Sequence, residues 1–171
     1  NWTGNNFNTS TANATYDLMT DVPTLTSANV ANYCVWNAVA AGVDATITNG
    51  NLSIAYGTSG SATSTMGTMG VSTGKWYWEV TLTTQSTAAE KVGIANATAT
   101  GELGDTATSW GYIIQSNANN GQGVHNGSTT STYSTFTTGD ILNVAVDVDA
   151  GKIWWGKNGT WVNSGGPSSG T

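Results

Sequence analysis

Apolar and polar side chains alternate in two segments of this chain, and that alternation restricts the fold more than any other feature. Residues 75–82 and residues 141–148 both place a large apolar side chain at every second position. The two apolar sets are Trp76, Trp78, Val80 and Leu82, and Leu142, Val144, Val146 and Val148. A period of two is that of a β-strand with one buried face. We therefore predict two antiparallel strands whose apolar faces lie in one core.

Turn signals divide the rest of the chain into further short strands. The Asn-Gly pair at 49–50 is one that a type I′ turn prefers, so it predicts a hairpin between strands 45–48 and 51–55. A second Asn-Gly pair, at 158–159, predicts another hairpin. Short strands with turns at roughly 8–12-residue intervals are typical of an all-β sandwich. No segment has helical periodicity of useful length, so the predicted fold class is an antiparallel, all-β sandwich.

Length and charge limit the classes of function. The 171 residues fit one domain, and charged residues make up only 8% of the chain. The four basic residues are all lysines, and against ten acidic residues they leave a net charge of −6. Nucleic-acid surfaces and polybasic membrane patches both require clustered basic side chains. The sequence therefore predicts neither a nucleic-acid partner nor membrane insertion. The single cysteine, Cys34, is expected to be a small buried apolar side chain.

Five segments follow one another in a fixed order over roughly residues 70–163. They are Gly74-Lys75-Trp76-Tyr77-Trp78-Glu79-Val80, Val92-Gly93-Ile94-Ala95, Leu103-Gly104 through Ser109-Trp110-Gly111-Tyr112, Val124-His125-Asn126-Gly127, and Gly139-Asp140-Ile141 through Gly151-Lys152-Ile153. Their order and spacing resemble the SPRY domain, a β-sandwich of the concanavalin A-like, jelly-roll kind. The resemblance implies a module that binds partners and does not catalyse a reaction.

Residues 1–30 are polar and irregular, and we predict an extended arm that packs on a sandwich formed by residues 31–171. The arm and the Asn/Thr-rich composition resemble SPRY-like modules of phage and marine viral structural proteins. SPRY domains normally continue past the last Asn-Gly hairpin to a closing strand, whereas this chain ends at Thr171. The resemblance therefore predicts an open sheet edge, filled by later residues of a longer parent, by the arm or by a neighbouring subunit.

Titratable side chains are few, and their pattern does not favour catalysis. With His125 as the only histidine and Cys34 as the only cysteine, a zinc site would need at least two carboxylates. Asp147 and Asp149 are of a type that binds calcium, but the resemblance assigns them to a turn. Glycoside hydrolases need two carboxylates, and Glu79 is alone in its strand. We predict no enzyme, cofactor or metal, and keep a glucanase-like enzyme as a remote alternative.

The resemblance also implies that the loop before the Ser-Trp-Gly segment contributes to the ligand face. This loop, residues 99–108, carries Glu102, Asp105 and Thr106. We predict that it is exposed and lines a partner-binding surface together with the 24–32 loop.

Eight tryptophans exceed what one core of this size requires, so some are expected at the surface. The family pattern gives core positions to Trp76, Trp78 and Trp110. Strand alternation puts Trp154 and Trp155 on opposite faces, so one of them leaves the core side. Trp155 and Trp161 are the predicted candidates for an interface or ligand platform.

The sequence is thus interpreted as a non-enzymatic protein-binding or structural module. Its expected setting is a virion or the extracellular space, as part of a phage tail fibre, capsid appendage or decoration protein. Expected partners are other virion subunits, copies of the chain in a homo-oligomer, and a host-surface protein or glycan. The alternative is a lectin-like carbohydrate-binding module of a secreted or cell-surface protein.

Overall fold

The computed structural model describes residues 25–27, 30–31, 33–57, 64–85, 88–96, 99, 101–115 and 118–170. Most of the arm predicted for residues 1–30 lies outside these residues, and the boundary at residue 31 stays a prediction. The chain divides into two compact units. The first consists of Asn1–Tyr56 and Thr65–Val71, and the second of Gly57–Ser64 and Ser72–Thr171.

The described residues of the first unit form two antiparallel hairpins. Strands β1 (Leu25–Ser27) and β2 (Val30–Ala31) form one, and β3 (Ala45–Thr48) and β4 (Ser53–Tyr56) form the other. A short 3-10 turn at Ala38–Ala40 precedes the second hairpin.

The predicted Asn-Gly hairpin of the first unit is present, but its loop is longer than predicted. Thr48 pairs with Ser53, so residues 49–52 form a four-residue loop and Asn51 is not part of the strand. Asn49, Gly50 and Asn51 all have positive φ, a run that a two-residue turn does not contain. Leu52 is consequently exposed in the loop.

In the part of the second unit that the structure describes there are eight strands, arranged in two four-stranded antiparallel sheets. In chain order they are β5 (Lys75–Thr81), β6 (Glu90–Ala95), β7 (Ser109–Gln115), β8 (Gly123–His125), β9 (Ser128–Thr129), β10 (Ile141–Asp147), β11 (Lys152–Lys157) and β12 (Thr160–Trp161). The first sheet of this sandwich has the order β12-β11-β10-β5, and the second sheet has the order β6-β7-β8-β9. Two Asn-Gly pairs, at 126–127 and 158–159, make two-residue turns in which both residues have positive φ.

The core of the second unit lies between the two sheets, which makes it an antiparallel β-sandwich. Leu142, Val144 and Val146 of β10 form one buried cluster with Tyr112 and Ile114 of β7. The predicted antiparallel pairing and core position are confirmed, since β10 pairs antiparallel with β5 and Trp78 packs against the core. Burial alternates along β5 only, because Asn143 and Ala145 on the other face of β10 are buried as well. Phe136, from the segment before β10, completes the cluster and meets the Tyr112 ring edge-on at 5.7 Å.

Two placements differ from the sequence-based expectations. Cys34 is exposed, because it lies in an irregular segment, outside any strand, where its sulfur faces Gly67. Trp110 is 36% exposed although it shares the inner face of β7 with Tyr112. Its position near the beginning of β7 places it at the rim of the sandwich, where its ring stacks on His125.

Among the described residues, β5 pairs only with β10 and β6 pairs only with β7. Each sheet therefore has one long strand with a single partner, and the predicted filling of an open edge stays a prediction. No helix within the described part of the chain is long and apolar enough to cross a membrane.

Candidate functional site

The loop that precedes β7 is fixed to the outer side of the second sheet. Gly104 approaches Val124 so closely that an added Cβ would lie 2.4 Å from a valine methyl carbon. The Gly104 amide donates to the Ser109 hydroxyl oxygen at 2.9 Å, and its carbonyl accepts from Gly127 at 3.0 Å. Leu103 packs over Gly111 in β7. These contacts hold the loop in one position, with Gly101, Asp105 and Ala107 exposed.

Lys91 joins this loop to β6 by two ion pairs. Its Nζ lies 2.5 Å from Glu102 Oε2 and 3.2 Å from Asp105 Oδ1. The lysine side chain is only 12% exposed, whereas those of Glu102 and Asp105 are 40% and 49% exposed. Burial by itself would lower the pKa of Lys91, but the hydrogen bonds to Glu102 and Asp105 outweigh burial and raise it. Burial, followed by the charge of Glu102, raises the pKa of Glu90.

Thr106 has a structural position in the same loop. Its hydroxyl lies 3.0 Å from the Ser109 hydroxyl and 3.3 Å from that of Thr108, and it is partly buried. The structure thus brings the three predicted loop residues together. The loop was expected to be exposed, but it is only partly so, because its residues Leu103 and Gly104 pack against Gly111 and Val124 of the sheet. What remains outward is a surface with two carboxylates and one shielded ammonium group.

The two tryptophans predicted as platforms lie in different surroundings. Trp155 is on the inner face of β11, where it packs against the core with its ring 5.5 Å from that of Tyr112. Its cross-strand partner, Val144, is fully buried. The outward member of the Trp154–Trp155 pair is therefore Trp154, not Trp155. Any surface platform on β11 consequently depends on Trp154.

Trp161 lies on the outer face of the first sheet, as part of an aromatic and polar group that no sequence pattern indicated. Its ring lies against Gly156 and Gly166, where added Cβ atoms would come within 3.1 and 2.9 Å of it. It also meets the Tyr77 ring edge-on at 6.3 Å. Tyr77 is 55% exposed. The alternation that places Trp76 and Trp78 on one face of β5 already assigns Tyr77 to the other face.

A buried amide fixes Tyr77 in place. Asn143 Nδ2 donates to the Tyr77 oxygen at 2.8 Å and to Glu79 Oε1 at 3.1 Å, and Asn143 Oδ1 accepts from the Gly159 amide at 2.8 Å. The Tyr77 hydroxyl in turn donates a short hydrogen bond to Glu79. That bond raises the pKa of Tyr77. The Tyr77 side chain is thus held at the surface by hydrogen bonds to Asn143 and Glu79.

A hollow of about 200 Å³ opens beside Tyr77 on this face. Its lining combines aromatic, small and charged residues. They are Lys75, Trp76, Tyr77, Ala145, Val146, Asp147, Trp154 and Pro167.

The acidic residues considered as calcium ligands have turn-forming partners. Asp147 Oδ1 accepts from the Ala150 amide at 2.9 Å, and its other oxygen lies 3.3 Å from Lys75 Nζ. Asp149 accepts from the Gly74 amide at 3.1 Å. Within the described residues, no three His, Cys, Asp or Glu side chains form a group that could hold a metal ion.

Comparison with known proteins gives one family and a similar fold. The family model described as SPRY domain matches residues 75–165, just over half of the chain. The crystal structure of the SPRY domain of human HERC1 superposes with a TM-score of 0.62 at 25% sequence identity, covering 75% of this chain and 78% of that one. A search of curated proteins returns no match.

Proposed function

Because the chain belongs to the SPRY domain family, we propose that it is a non-enzymatic binding module whose loop 101–108 contacts a protein partner. SPRY domains are protein-interaction modules and are generally non-catalytic. A protein-binding role fits a surface on which carboxylates and aromatic side chains are held in place by contacts within the domain.

The observation that carries the proposal is the fixed, acidic loop. Lys91 neutralises one of two carboxylates, so Glu102 and Asp105 leave the loop with one net negative charge. Because Leu103 and Gly104 anchor the backbone, a partner meets the loop in a conformation that already exists. Preorganisation of this kind reduces the ordering cost of association. A partner that places a lysine or arginine against the loop fits this charge.

The setting we propose is a virion or another extracellular particle. Support comes from the composition, which is poor in charge and rich in Ser, Thr, Asn and Gly. The partners we propose are copies of this chain and other virion subunits, with host-surface molecules as further candidates. Multi-copy particles are symmetric, so one loop surface would recur at many equivalent contacts.

Sedimentation velocity of the purified chain tests whether the loop mediates self-association. We expect concentration-dependent association that the double variant Glu102→Gln/Asp105→Asn weakens by about tenfold, or ~1.4 kcal/mol. The amides keep the shape of the carboxylates and still accept hydrogen bonds from Lys91. Asp44→Asn is the matched control, because it removes an exposed carboxylate from the other compact unit.

Two results would contradict this proposal. One is a chain that stays monomeric up to roughly 100 µM, where a contact of about −5.5 kcal/mol would be half formed. The other is association that the double variant and the control variant affect equally. For the setting, the chain should be recovered from density-purified particles at a fixed copy number, and its recovery only outside such particles would refute a virion role.

A further inference from the structure

The hollow on the outer face of the first sheet arises from one small residue between two aromatic ones. Tyr77 of β5 and Trp154 of β11 are both direct cross-strand partners of Ala145 in β10. Direct partners point to the same side of a sheet, so the two large side chains stand on either side of an alanine methyl group. The strands that carry them are two spacings apart, about 9.5 Å. Pro167, from the segment that follows β12, lines another side of the hollow.

The aromatic wall formed by Tyr77 is held in position without a ligand. Its hydroxyl group is fixed by Glu79 and Asn143, and its ring rests against Trp161. Asn143 is only 3% exposed, so its amide cannot leave these partners for solvent. A ligand that enters the hollow therefore does not have to order this wall, and less free energy is lost on binding.

Charged groups at one end of the hollow supply both donors and acceptors. Lys75 Nζ pairs with Asp147 Oδ2 at 3.3 Å, and the lysine side chain is 80% exposed. The pair carries no net charge, so the lining does not select an ion of either sign. A ligand that matches it is neutral, has an apolar face for Tyr77 and Trp154, and carries hydroxyl groups for Lys75 and Asp147.

We propose that this hollow binds a single pyranose ring of a neutral oligosaccharide. A sugar ring presents C–H groups on its face and hydroxyl groups around its edge, which corresponds to the aromatic walls and the charged rim. The volume of about 200 Å³ is below the ~300–1,000 Å³ of pockets that enclose a drug-sized ligand, so it fits one ring of a longer chain. This binding activity is additional to the protein contact through loop 101–108 and shares no residue with it.

Ligand-observed saturation-transfer NMR on the intact chain tests the site, since it detects millimolar binding. The probes are cellohexaose, chitohexaose, maltohexaose and mannohexaose, with decaproline as the peptide alternative. We expect at least one hexasaccharide to bind. Tyr77→Ala and Ala145→Leu should each weaken it about tenfold, the first by removing a wall and the second by filling the hollow. Trp110→Ala is the matched control, because it removes an exposed aromatic ring from the other sheet.

Three outcomes would overturn the proposal. They are no binding to any of the four hexasaccharides, binding that Tyr77→Ala and Ala145→Leu leave unchanged, and binding of decaproline alone. Thermal unfolding of each variant shows whether it is folded. If Ala145→Leu does not fold, Trp154→Ala takes its place, because it opens the hollow without adding volume. The sedimentation result for loop 101–108 is independent, so either proposal can fail without the other.

Discussion

Replacing Gly93 with alanine is expected to destabilise the sandwich far more than the same change at the glycine opposite. Gly93 in β6 is the direct partner of Gly111 in β7. A Cβ on Gly93 would lie 1.9 Å from the Trp110 carbonyl oxygen and 2.9 Å from Gly111 Cα, both of which are backbone atoms. A Cβ on Gly111 would instead meet side chains, with Val124 Cγ1 at 3.1 Å and Leu103 Cγ at 3.3 Å.

The expected cost follows from how far the two strands would have to separate. Cβ atoms essentially never come within 3.0 Å of another heavy atom, so a contact at 1.9 Å requires a shift of at least 1.1 Å. Ladder hydrogen bonds of ~2.9 Å would then exceed the hydrogen-bonding range. Two such bonds lost from the ladder cost about 3–5 kcal/mol together. At Gly111 the side chains can move, so we expect about 1–2 kcal/mol there.

Urea unfolding followed by tryptophan fluorescence measures this difference, using linear extrapolation for the wild type, Gly93→Ala and Gly111→Ala. A cost of about 3–5 kcal/mol is a large part of the ~5–15 kcal/mol by which a domain is stable. Gly93→Ala should therefore lower the unfolding midpoint strongly or prevent folding, while Gly111→Ala stays folded. A Gly93→Ala variant within about 1 kcal/mol of the wild type, or no less stable than Gly111→Ala, would refute the reasoning.

Three further substitutions have expected outcomes. Phe136→Ala removes a fully buried ring in contact with Tyr112, so urea unfolding should show a loss of about 3–5 kcal/mol; a loss below ~1 kcal/mol would contradict its place in the core. Hydrogen bonds from Lys157 and other neighbours hold the pKa of the Asp140 carboxyl well below its usual range. The ionised carboxylate therefore stabilises the folded chain above about pH 4, and this contribution is lost as the pH falls further. Asp140→Asn should therefore destabilise the chain at pH 7 and lose stability less steeply below pH 4; parallel pH profiles would contradict this. Gly127 has a φ of +70° with no atom near an added Cβ, so Gly127→Ala should cost about 1–2 kcal/mol from backbone strain alone, and an unchanged melting temperature would count against that.

The candidate site was predictable only in its parts. Glu102, Asp105 and Thr106 are adjacent in sequence, so their occurrence in one loop followed from the family pattern. Their common partner, Lys91, lies on β6, and its approach depends on how the loop folds back over the second sheet. A residue pattern does not contain that information, since it arises from the packing of Leu103 and Gly104 on β7 and β8.

The hollow beside Tyr77 was likewise not predictable from the residue pattern. Alternation assigns Tyr77 to the outer face, but it does not indicate which residues on β10 and β11 stand beside it. The register brings Ala145 between Tyr77 and Trp154, and a shift of one residue would replace that alanine with a large apolar side chain. The recess is consequently a property of strand pairing.

The sequence by itself determined the β character of the chain, the buried faces of β5 and β10, and the two-residue turn at Asn158–Gly159. These features depend on a period of two and on the tolerance of Asn and Gly for positive φ, both of which are local. Only the tertiary structure decided that Trp110 is exposed, that Trp155 faces the core and that Trp154 faces outward. The exposure of a large side chain depends on what the opposite sheet and the connecting loops place over it, and those contacts join residues that lie far apart in the chain.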